Sequence, residues 1–135
     1  MARYMLAVDE GTTNAKACLV DAAGHIVREA ACALEVAYPQ PAWVEQDPGE
    51  IWRATRQVIA DVMTAIPPTD LAGLGIANQR ESVLVWERQS GAPLGPCITW
   101  QCHRTAPACA ELRSRGCEPL LVERTGLTID PMFSA

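Results

Sequence analysis

The sequence has no run of lysine or arginine residues and no long apolar stretch, and each absence excludes a class of protein. Lys and Arg number 11 against 16 Asp and Glu, so the formal net charge at pH 7 is −5. A surface that binds nucleic acid or an anionic membrane needs clustered positive charge, so this composition argues against both kinds of partner. No apolar segment approaches the roughly 20 residues of a transmembrane helix. Local positive charge remains available for a small anion.

The chain also lacks a C-x-x-C pair, although it contains six cysteines. These are Cys18, Cys32, Cys97, Cys102, Cys109 and Cys117. The first apolar run, residues 4–8, stops at Asp9 and is too short to be the core of a secretory signal. We therefore expect a cytoplasmic protein with reduced, mostly buried thiols. The adjacent Cys102 and His103 leave a zinc site open as an alternative, but the remaining spacings match no familiar zinc motif.

Length and composition predict one folded domain. With 135 residues, the chain can bury about two-thirds of the surface that its unfolded form exposes. Apolar residues recur at strand and helix periods between Gly and Pro turns. The predicted strands are residues 4–8, 16–20, 26 to about 36, 71–79, 82–86 and 97–100. The predicted helices run from Asp47-Pro48 to Pro67, from Thr105 to Gly116, and over residues 118–125 up to Gly126.

The order of these elements predicts an α/β layer that begins with an antiparallel three-strand meander. Polar residues at the strand ends place a binding site at one edge of the sheet. In the first helix, Asp47 is predicted to cap the free amides, and Glu50 falls where a capping box places its acid. Trp43, Trp52 and Trp86 are predicted to lie in the core.

Residues 9–16 (Asp-Glu-Gly-Thr-Thr-Asn-Ala-Lys) predict a hairpin whose turn can face a phosphate. Gly11 is expected to adopt a backbone conformation that other residues avoid, so that amides point at an anion. Thr12 and Thr13 add hydroxyl donors, and Lys16 adds a point charge. Asp9, at the end of the strand, can hold a hydrated Mg²⁺ against phosphate oxygens. The alternative is a polar hairpin turn without a ligand.

Residues 78–81 (Asn-Gln-Arg-Glu) form a second polar group at the end of a predicted strand. Arg80 brings a planar fork of donors and Glu81 an acceptor-only carboxylate, a pair that can bind the vicinal hydroxyls of a polyol. The alternative is a surface ion pair of little energetic value. Trp100 ends another apolar run, where its indole can either cover the C–H face of a polyol or lie in the core.

Together these motifs resemble the N-terminal part of the FGGY carbohydrate kinases, and within that family most closely the glycerol kinases. The family's Asp-x-Gly-Thr-Thr phosphate motif matches residues 9–13, and its Trp-Val-Glu-Gln-Asp-Pro segment matches residues 43–48. Its Asn-Gln-Arg-Glu and Trp-Gln-Cys-x-Arg-Thr motifs match residues 78–81 and 100–105. Residues 125–131 resemble the segment that leads to the family's next substrate residue. The five matches occur in order and cover essentially the whole chain.

The resemblance implies an actin- and hexokinase-like (ribonuclease H-like) ATPase lobe with a mixed sheet. It also implies transfer of the γ-phosphoryl group from ATP, with Mg²⁺, to a polyol hydroxyl. In such a transfer the protein mainly positions groups and neutralises charge. The implied site residues are Asp9 for catalysis and for Mg²⁺, held through water; Gly11, Thr12, Thr13 and Lys16 for the ATP phosphates; and Arg80, Glu81, Trp100 and Met132 for the substrate.

Two positions depart from the glycerol kinase pattern. Lys16 stands where these enzymes usually carry Arg, so a planar fork of donors becomes a point charge. Met132 stands where a Tyr binds a glycerol hydroxyl, and a site built to pair a hydroxyl penalises the loss of that pair. The choice between glycerol, another polyol and a sugar such as a ketopentose therefore stays open.

The chain stops at Ala135, within a family motif. The resemblance implies that the general base and the second, adenine-binding lobe lie downstream, so residues 1–135 are expected to be an incomplete N-terminal FGGY kinase domain, inactive alone. Exposed strand edges of such a lobe predict self-association. A non-catalytic polyol- or phosphate-binding module is the alternative. The kinase interpretation requires the residue 9–16 hairpin and the Arg80–Glu81 pair to open onto a common cleft.

Overall fold

A computed structural model describes residues 3–133, and these residues divide into two compact units. Unit 1 comprises residues 3–36 and 46–79, and unit 2 comprises residues 37–45 and 80–133. In chain order the elements are β1 (Tyr4–Glu10), β2 (Asn14–Asp21), β3 (Ile26–Ala33), β4 (Glu45–Gln46), α1 (Pro48–Met63), β5 (Leu71–Asn78), β6 (Cys97–Ile98), α2 (Ala106–Ser114) and α3 (Glu118–Thr125). Over the described residues, no helix has the length and apolar character that crossing a membrane requires.

Unit 1 is a four-stranded mixed sheet with one helix packed on it. The spatial order of the strands is β3-β2-β1-β5. The first three strands are antiparallel neighbours, while β5 pairs in parallel with β1. A parallel neighbour needs a long crossover connection, and α1 lies within that connection. The predicted meander and the mixed α/β class are confirmed.

Asp21 closes the turn between β2 and β3. Its Oδ1 accepts hydrogen bonds from the backbone N–H groups of Ala23 and His25, both at 2.9 Å. Gly24 has φ +87°, a left-handed conformation in which a β-carbon would be strained. The sequence predicts this turn because Asp and Gly favour it for these two separate reasons.

The core of unit 1 lies between α1 and one face of the sheet. Its buried members are Leu6, Val8, Ala15, Ala17, Leu34, Ala54, Val58 and Val62. Val58 and Val62 are 1% and 0% exposed, which confirms the predicted apolar face of the helix. Side chains of a strand alternate between faces, so Met5, Ala7 and Asp9 of β1 point away from this core and are exposed.

The start of α1 differs from the prediction in one respect. Asp47 Oδ1 accepts from the backbone N–H of Gly49 at 2.8 Å, and Pro48 is the first helical residue, as predicted. The predicted capping box at Glu50 is wrong, because Glu50 Oε1 accepts from the backbone N–H of Glu35 at 2.9 Å instead. The carboxylate thus ties the segment after β3 to the start of the helix.

Residues 82–86, predicted as a strand, form only isolated bridges. Val83 pairs with Ile98, and Trp86 pairs with Pro93. Val83 and Trp86 are three residues apart, whereas their partners are five residues apart, so the bridges stay isolated and no continuous ladder forms. The prediction of a regular strand here is wrong.

Unit 2 contains two helices and little regular sheet. β4, whose Glu45 belongs to this unit, pairs with β6. α2 and α3 lie where the sequence predicts them, and α3 ends at Gly126, which has φ +74°. Thr105 precedes α2 but makes no side-chain capping hydrogen bond. The buried hydrophobic residues of this unit are Val44, Cys97, Cys102, Cys109 and Ile129.

Trp52 and Trp86 are not core residues, contrary to the prediction. Their exposed fractions are 63% and 58%. Trp52 lies on the solvent side of α1, where the guanidinium carbon of Arg56 is 5.9 Å from its ring centre. Trp43 is partly buried and packs against Arg104.

Candidate functional site

The loop between β1 and β2, residues 11–13, is closed by backbone hydrogen bonds. Gly11 N donates to Asn14 O at 3.0 Å, and Leu34 N donates to Thr13 O at 2.9 Å. A β-carbon at Gly11 would lie 3.1 Å from Asn14 O, a tight contact, so the close approach of the backbone favours glycine. The conformation predicted for Gly11 is wrong, because its φ lies outside the left-handed region and its amide is used within the loop.

Asp9 and Lys16 face each other across the two strands of the hairpin. Both side chains are exposed and line an open groove of about 960 Å³ on the sheet face away from α1. Ala7, Gly75 and Ala77 line the same groove and contribute little side-chain volume. The Asp9 carboxylate and the Lys16 ammonium therefore lie side by side in this groove. Because the residues beneath them are small, the groove has room for a hydrated cation and a phosphate.

Thr12 and Thr13 present their hydroxyls differently. Thr12 Oγ1 lies 3.5 Å from Gln79 Oε1 as a donor, so this hydroxyl is directed into the protein. Thr13 is exposed, and its Oγ1 accepts from Asn14 Nδ2 at 3.1 Å, which leaves its own proton to donate. Of the two threonines, Thr13 is therefore the one whose hydroxyl proton faces solvent.

Two glutamines that sequence reasoning did not single out support this loop. Gln46 Nε2 donates to Thr12 O at 2.8 Å, and Gln79 Nε2 donates to Glu10 Oε1 at 3.1 Å. Gln46 is 2% exposed, which is unusual for a residue with a polar side chain. Both lie inside segments that match family motifs, residues 43–48 and 78–81, and that match was the signal that could have identified them.

In this region the carboxyl group of Glu10 has a shifted pKa. Burial raises its pKa, the hydrogen bond from Gln79 lowers it, and the neighbouring charge of Asp9 raises it, so that the pKa lies above its usual value.

In unit 2, Glu81 and Met132 line one pocket of about 410 Å³. Its apolar wall includes Val83, Ile98, Leu112, Leu121 and Phe133. Glu81 has φ +64°, a left-handed conformation that costs a non-glycine residue about 1 kcal/mol or more. β5 ends at Asn78, so Arg80 and Glu81 directly follow the end of a strand, as predicted.

Arg80 and Trp100 lie outside the lining of this pocket. Both are exposed, Trp100 by 39%, which argues against the core alternative for that indole. The backbone N–H of Trp100 donates to Ser82 Oγ at 3.2 Å, which links Trp100 to the residue that follows Glu81. Within unit 2 the structure thus brings Glu81 and Met132 to one pocket. The common cleft with the hairpin stays a prediction.

Arg104 forms the centre of a cluster that sequence reasoning missed. Its guanidinium carbon lies 3.9 Å from the ring centre of Trp43, and its NH2 donates to Glu45 Oε1 at 2.6 Å. Its Nε donates to Cys102 Sγ at 2.9 Å. The Arg104 and Glu45 side chains are 17% and 14% exposed, so the pair is shielded from solvent. This cluster joins residues 43–45 to residues 102–104.

The Cys102 thiol is held by this cluster. Burial raises its pKa, but hydrogen bonds from Arg104 and Val44 and the Arg104 charge outweigh burial, and the pKa lies below its usual value. Its Sγ also contacts Ala42 O at 3.5 Å. The neighbours of this sulfur are therefore a guanidinium and backbone groups. Among residues 3–133, no group of three His, Cys, Asp or Glu side chains is placed to hold a metal ion.

Comparisons with known proteins agree with the motif resemblance. The sequence model of the FGGY family of carbohydrate kinases, N-terminal domain, matches residues 4–135. The glycerol kinase of Paracidovorax citrulli is 48% identical over an alignment that covers 98% of this chain and 26% of that protein.

Solved structures share the fold. A glycerol kinase of Plasmodium falciparum, crystallised with ADP, has a TM-score of 0.90 and 26% identity, covering 98% of this chain and 27% of that one. A xylulose kinase of Rhodospirillum rubrum has a TM-score of 0.86 and 28% identity, covering 96% of this chain and 27% of that one. The chain spans about a quarter of the length of these relatives.

Proposed function

The chain belongs to the FGGY family of carbohydrate kinases, and from this premise we propose that it supplies the phosphate-binding hairpin and the substrate residues of an ATP-dependent polyol kinase. The proposed reaction transfers the γ-phosphoryl group of ATP to a polyol hydroxyl. The observation that carries the proposal is the hairpin end, where an exposed carboxylate (Asp9), hydroxyl (Thr13) and ammonium (Lys16) flank a tightly closed loop.

The hairpin has the donor set that phosphates and Mg²⁺ require. Mg²⁺ prefers oxygen ligands and keeps several waters, so the exposed carboxylate of Asp9 fits a hydrated ion held through water. Bound Mg²⁺ would neutralise charge on the phosphates. Lys16 adds a point charge across the hairpin, and Thr13 donates its hydroxyl. Gly11 and Thr12 keep the loop compact rather than contacting the nucleotide themselves.

The proposed substrate residues act by hydrogen bonding and by covering carbon. The Glu81 carboxylate accepts from a substrate hydroxyl, while the Arg80 guanidinium donates to substrate oxygens. The Trp100 indole covers the C–H face of the substrate. Met132 offers a thioether to the pocket that Glu81 lines, and this surface suits carbon better than hydroxyl groups.

Similarity to the glycerol kinases favours a small polyol of the glycerol class as the substrate. A ketopentose is the second candidate, because Met132 removes a phenolic partner for glycerol and a xylulose kinase shares the fold. All six cysteines are free thiols, in keeping with the expected cytoplasmic location.

We propose that residues 1–135 by themselves do not turn over ATP, because the family resemblance implies a general base outside these residues. β5 lies at one edge of the sheet, with Leu74 and Ile76 exposed by 52% and 67%. This apolar edge favours self-association of the 135-residue chain, which would appear as concentration-dependent dimers in sedimentation velocity experiments.

The decisive experiment joins this chain to the C-terminal remainder of the P. citrulli glycerol kinase and measures ADP formation over a panel that includes glycerol, other polyols and xylulose. We expect turnover with at least one polyol, and at least a hundredfold loss on Asp9→Asn. The intact relative is the positive control. A folded chimera that binds a polyol by calorimetry but forms no ADP would instead favour the non-catalytic binding module.

A further inference from the structure

Two glutamine side chains from distant parts of the sequence meet beneath the loop of residues 11–13. Gln46 is the last residue of β4, and Gln79 directly follows β5. Gln79 Nε2 donates to Gln46 Oε1 at 3.0 Å, so the two amides form a hydrogen-bonded pair. Both belong to unit 1, as does the loop.

Gln46 anchors the backbone of the loop. Its Nε2 donates to Thr12 O at 2.8 Å and to Glu35 O at 3.3 Å, while its Oε1 accepts from Gln79. The side chain is 2% exposed, and water cannot replace these partners without opening the structure. Because two carbonyl oxygens face Nε2, only a donor fits at that position.

Gln79 holds the residues on either side of Gly11. Its Nε2 donates to Glu10 Oε1 at 3.1 Å, and its Oε1 lies 3.5 Å from the Thr12 hydroxyl as an acceptor. Its backbone N–H donates to Glu10 O at 2.7 Å. The end of β1 and the start of the loop are therefore fixed by one residue.

We propose that Gln46 and Gln79 are positioning residues that hold the phosphate loop in its binding geometry, an inference that rests on the proposed kinase function. Neither side chain reaches the groove lined by Asp9 and Lys16. They act through Thr12 and Glu10, and so fix the direction in which Asp9 and Thr13 present their oxygens. Satisfied buried amide networks keep supporting residues rigid, which is what precise placement of a phosphate requires.

Charge-changing variants separate this role from general packing. Gln46→Glu keeps the shape of the side chain but sets a carboxylate oxygen against the carbonyl oxygens of Thr12 and Glu35. At neutral pH the contact is repulsive, whereas protonation at lower pH restores a donor. A loop that depends on the donor is disordered by the variant at pH 7 and recovers at pH 5. If the Gln46 side chain only fills space, the loop should behave in the same way at pH 7 and at pH 5.

The test measures amide hydrogen exchange by NMR in the 135-residue chain. The reporters are the Gly11 and Leu34 amides, which close the loop, and the Val58 amide in α1 is the internal reference. For Gln46→Glu we expect exchange of both reporters to be at least tenfold faster than in the parent at pH 7, after correction for intrinsic rates. The ratio should fall to about threefold or less at pH 5, while Val58 is unchanged.

Two further variants keep the test decisive. Gln79→Glu places a second carboxyl beside Glu10. Because position 79 is less buried than position 46, this variant should fold and show the same pH-dependent loosening of the loop. Gln40→Glu, an exposed change of the same chemistry, should leave every reporter at the parent rate. Unchanged reporters in both Gln46→Glu and Gln79→Glu, or equal acceleration of Val58, would overturn the proposal.

The same variants in the chimeric kinase report on function. We expect Gln46→Glu to lower kcat/KM for ATP about tenfold, while KM for the polyol stays within twofold. An inactive parent chimera would count against the kinase function and leave the exchange result intact. An active chimera with unchanged kinetics in both variants would count against the positioning role alone.

Discussion

The two units hold their candidate site residues by different physical means. In unit 1 a long sheet and α1 bury an aliphatic core, and the loop is held by the uncharged amides of Gln46 and Gln79. In unit 2 regular strands are short, and the charged Arg104 and Glu45 hold the chain against Trp43. Unit 1 thus rests on apolar packing against a sheet, whereas unit 2 combines a few buried apolar residues with a shielded ion pair.

The two units should therefore be destabilised by different kinds of substitution. A unit that rests on apolar packing responds to changes of side-chain volume, whereas a unit that rests on shielded charges responds to loss of one partner and to pH.

Leu6→Ala tests the role of packing in unit 1. Leu6 is 3% exposed in the core, so removing it should lower the free energy of unfolding by about 2–5 kcal/mol. Leu74→Ala, on the same sheet but 52% exposed, should cost less than about 1 kcal/mol. Urea denaturation followed by circular dichroism measures both. Equal losses for the two variants would contradict the account of the core.

Arg104→Met tests the role of charge in unit 2. It leaves Glu45 without its partner in a shielded position, so we expect a loss of about 3 kcal/mol in the free energy of unfolding. Arg3→Met removes the Arg3–Asp70 pair, whose arginine is 67% exposed, and should cost at most about 1 kcal/mol. If the two arginine variants were equally stable, the cluster would not support unit 2.

Glu81→Gly tests whether the backbone strain at position 81 and polyol binding can be separated. It should relieve the left-handed backbone and stabilise the chain by about 0.5–1 kcal/mol, while polyol binding in the chimera falls at least tenfold. Ala42→Gly, at φ +67°, is the matched control and should give a similar gain with binding unchanged. Thermal melts and calorimetry report the two quantities, and polyol binding retained by Glu81→Gly would remove Glu81 from the site.

The dependence of stability on pH should have opposite signs in the two units. The lowered pKa of Cys102 gives stability that is fully present above the unfolded thiol value, about 8.5, and is lost as pH falls through the lower folded value. The raised pKa of Glu10 gives stability that is present below about 4.3 and is lost as pH rises through the folded value.

Two variants separate these small effects. Cys102→Ser should remove the alkaline gain in stability, and Glu10→Gln the acid gain, in urea titrations repeated between pH 4 and pH 9. A pH profile of Glu10→Gln that is parallel to the parent's over the acid range would contradict the assignment to Glu10.

Local sequence signals predicted much of unit 1. The Asp21–Gly24 turn, the strands β1 and β2, and the Asp47-Pro48 start of α1 depend on neighbours within a few residues, and each is confirmed. Glu50 was predicted wrongly because a capping box considers only the helix, whereas the Glu35 amide competes for the same carboxylate from fifteen residues away.

Long-range contacts explain what sequence reasoning missed. The Arg104 cluster joins residues 59 and 61 positions apart, and Gln79 reaches Glu10 across 69 positions. The periodicity of apolar residues does not reveal such long-range contacts. The motif matches did, however, place Gln46 and Gln79 inside segments that resemble the family. The roles of Asp9, Thr13, Arg80, Glu81 and Trp100 in binding stay predictions.

The link between Gln79 and Glu10 also has a consequence for synthesis of the protein. The hairpin is synthesised first, but Gln79, which holds it, leaves the ribosome only after α1 and β5. A contact between such distant positions forms late, because closing a long loop costs entropy before the contact is gained. The nascent hairpin is therefore expected to remain loose until Gln79 has left the ribosome, and only then to reach the loop conformation of the folded protein.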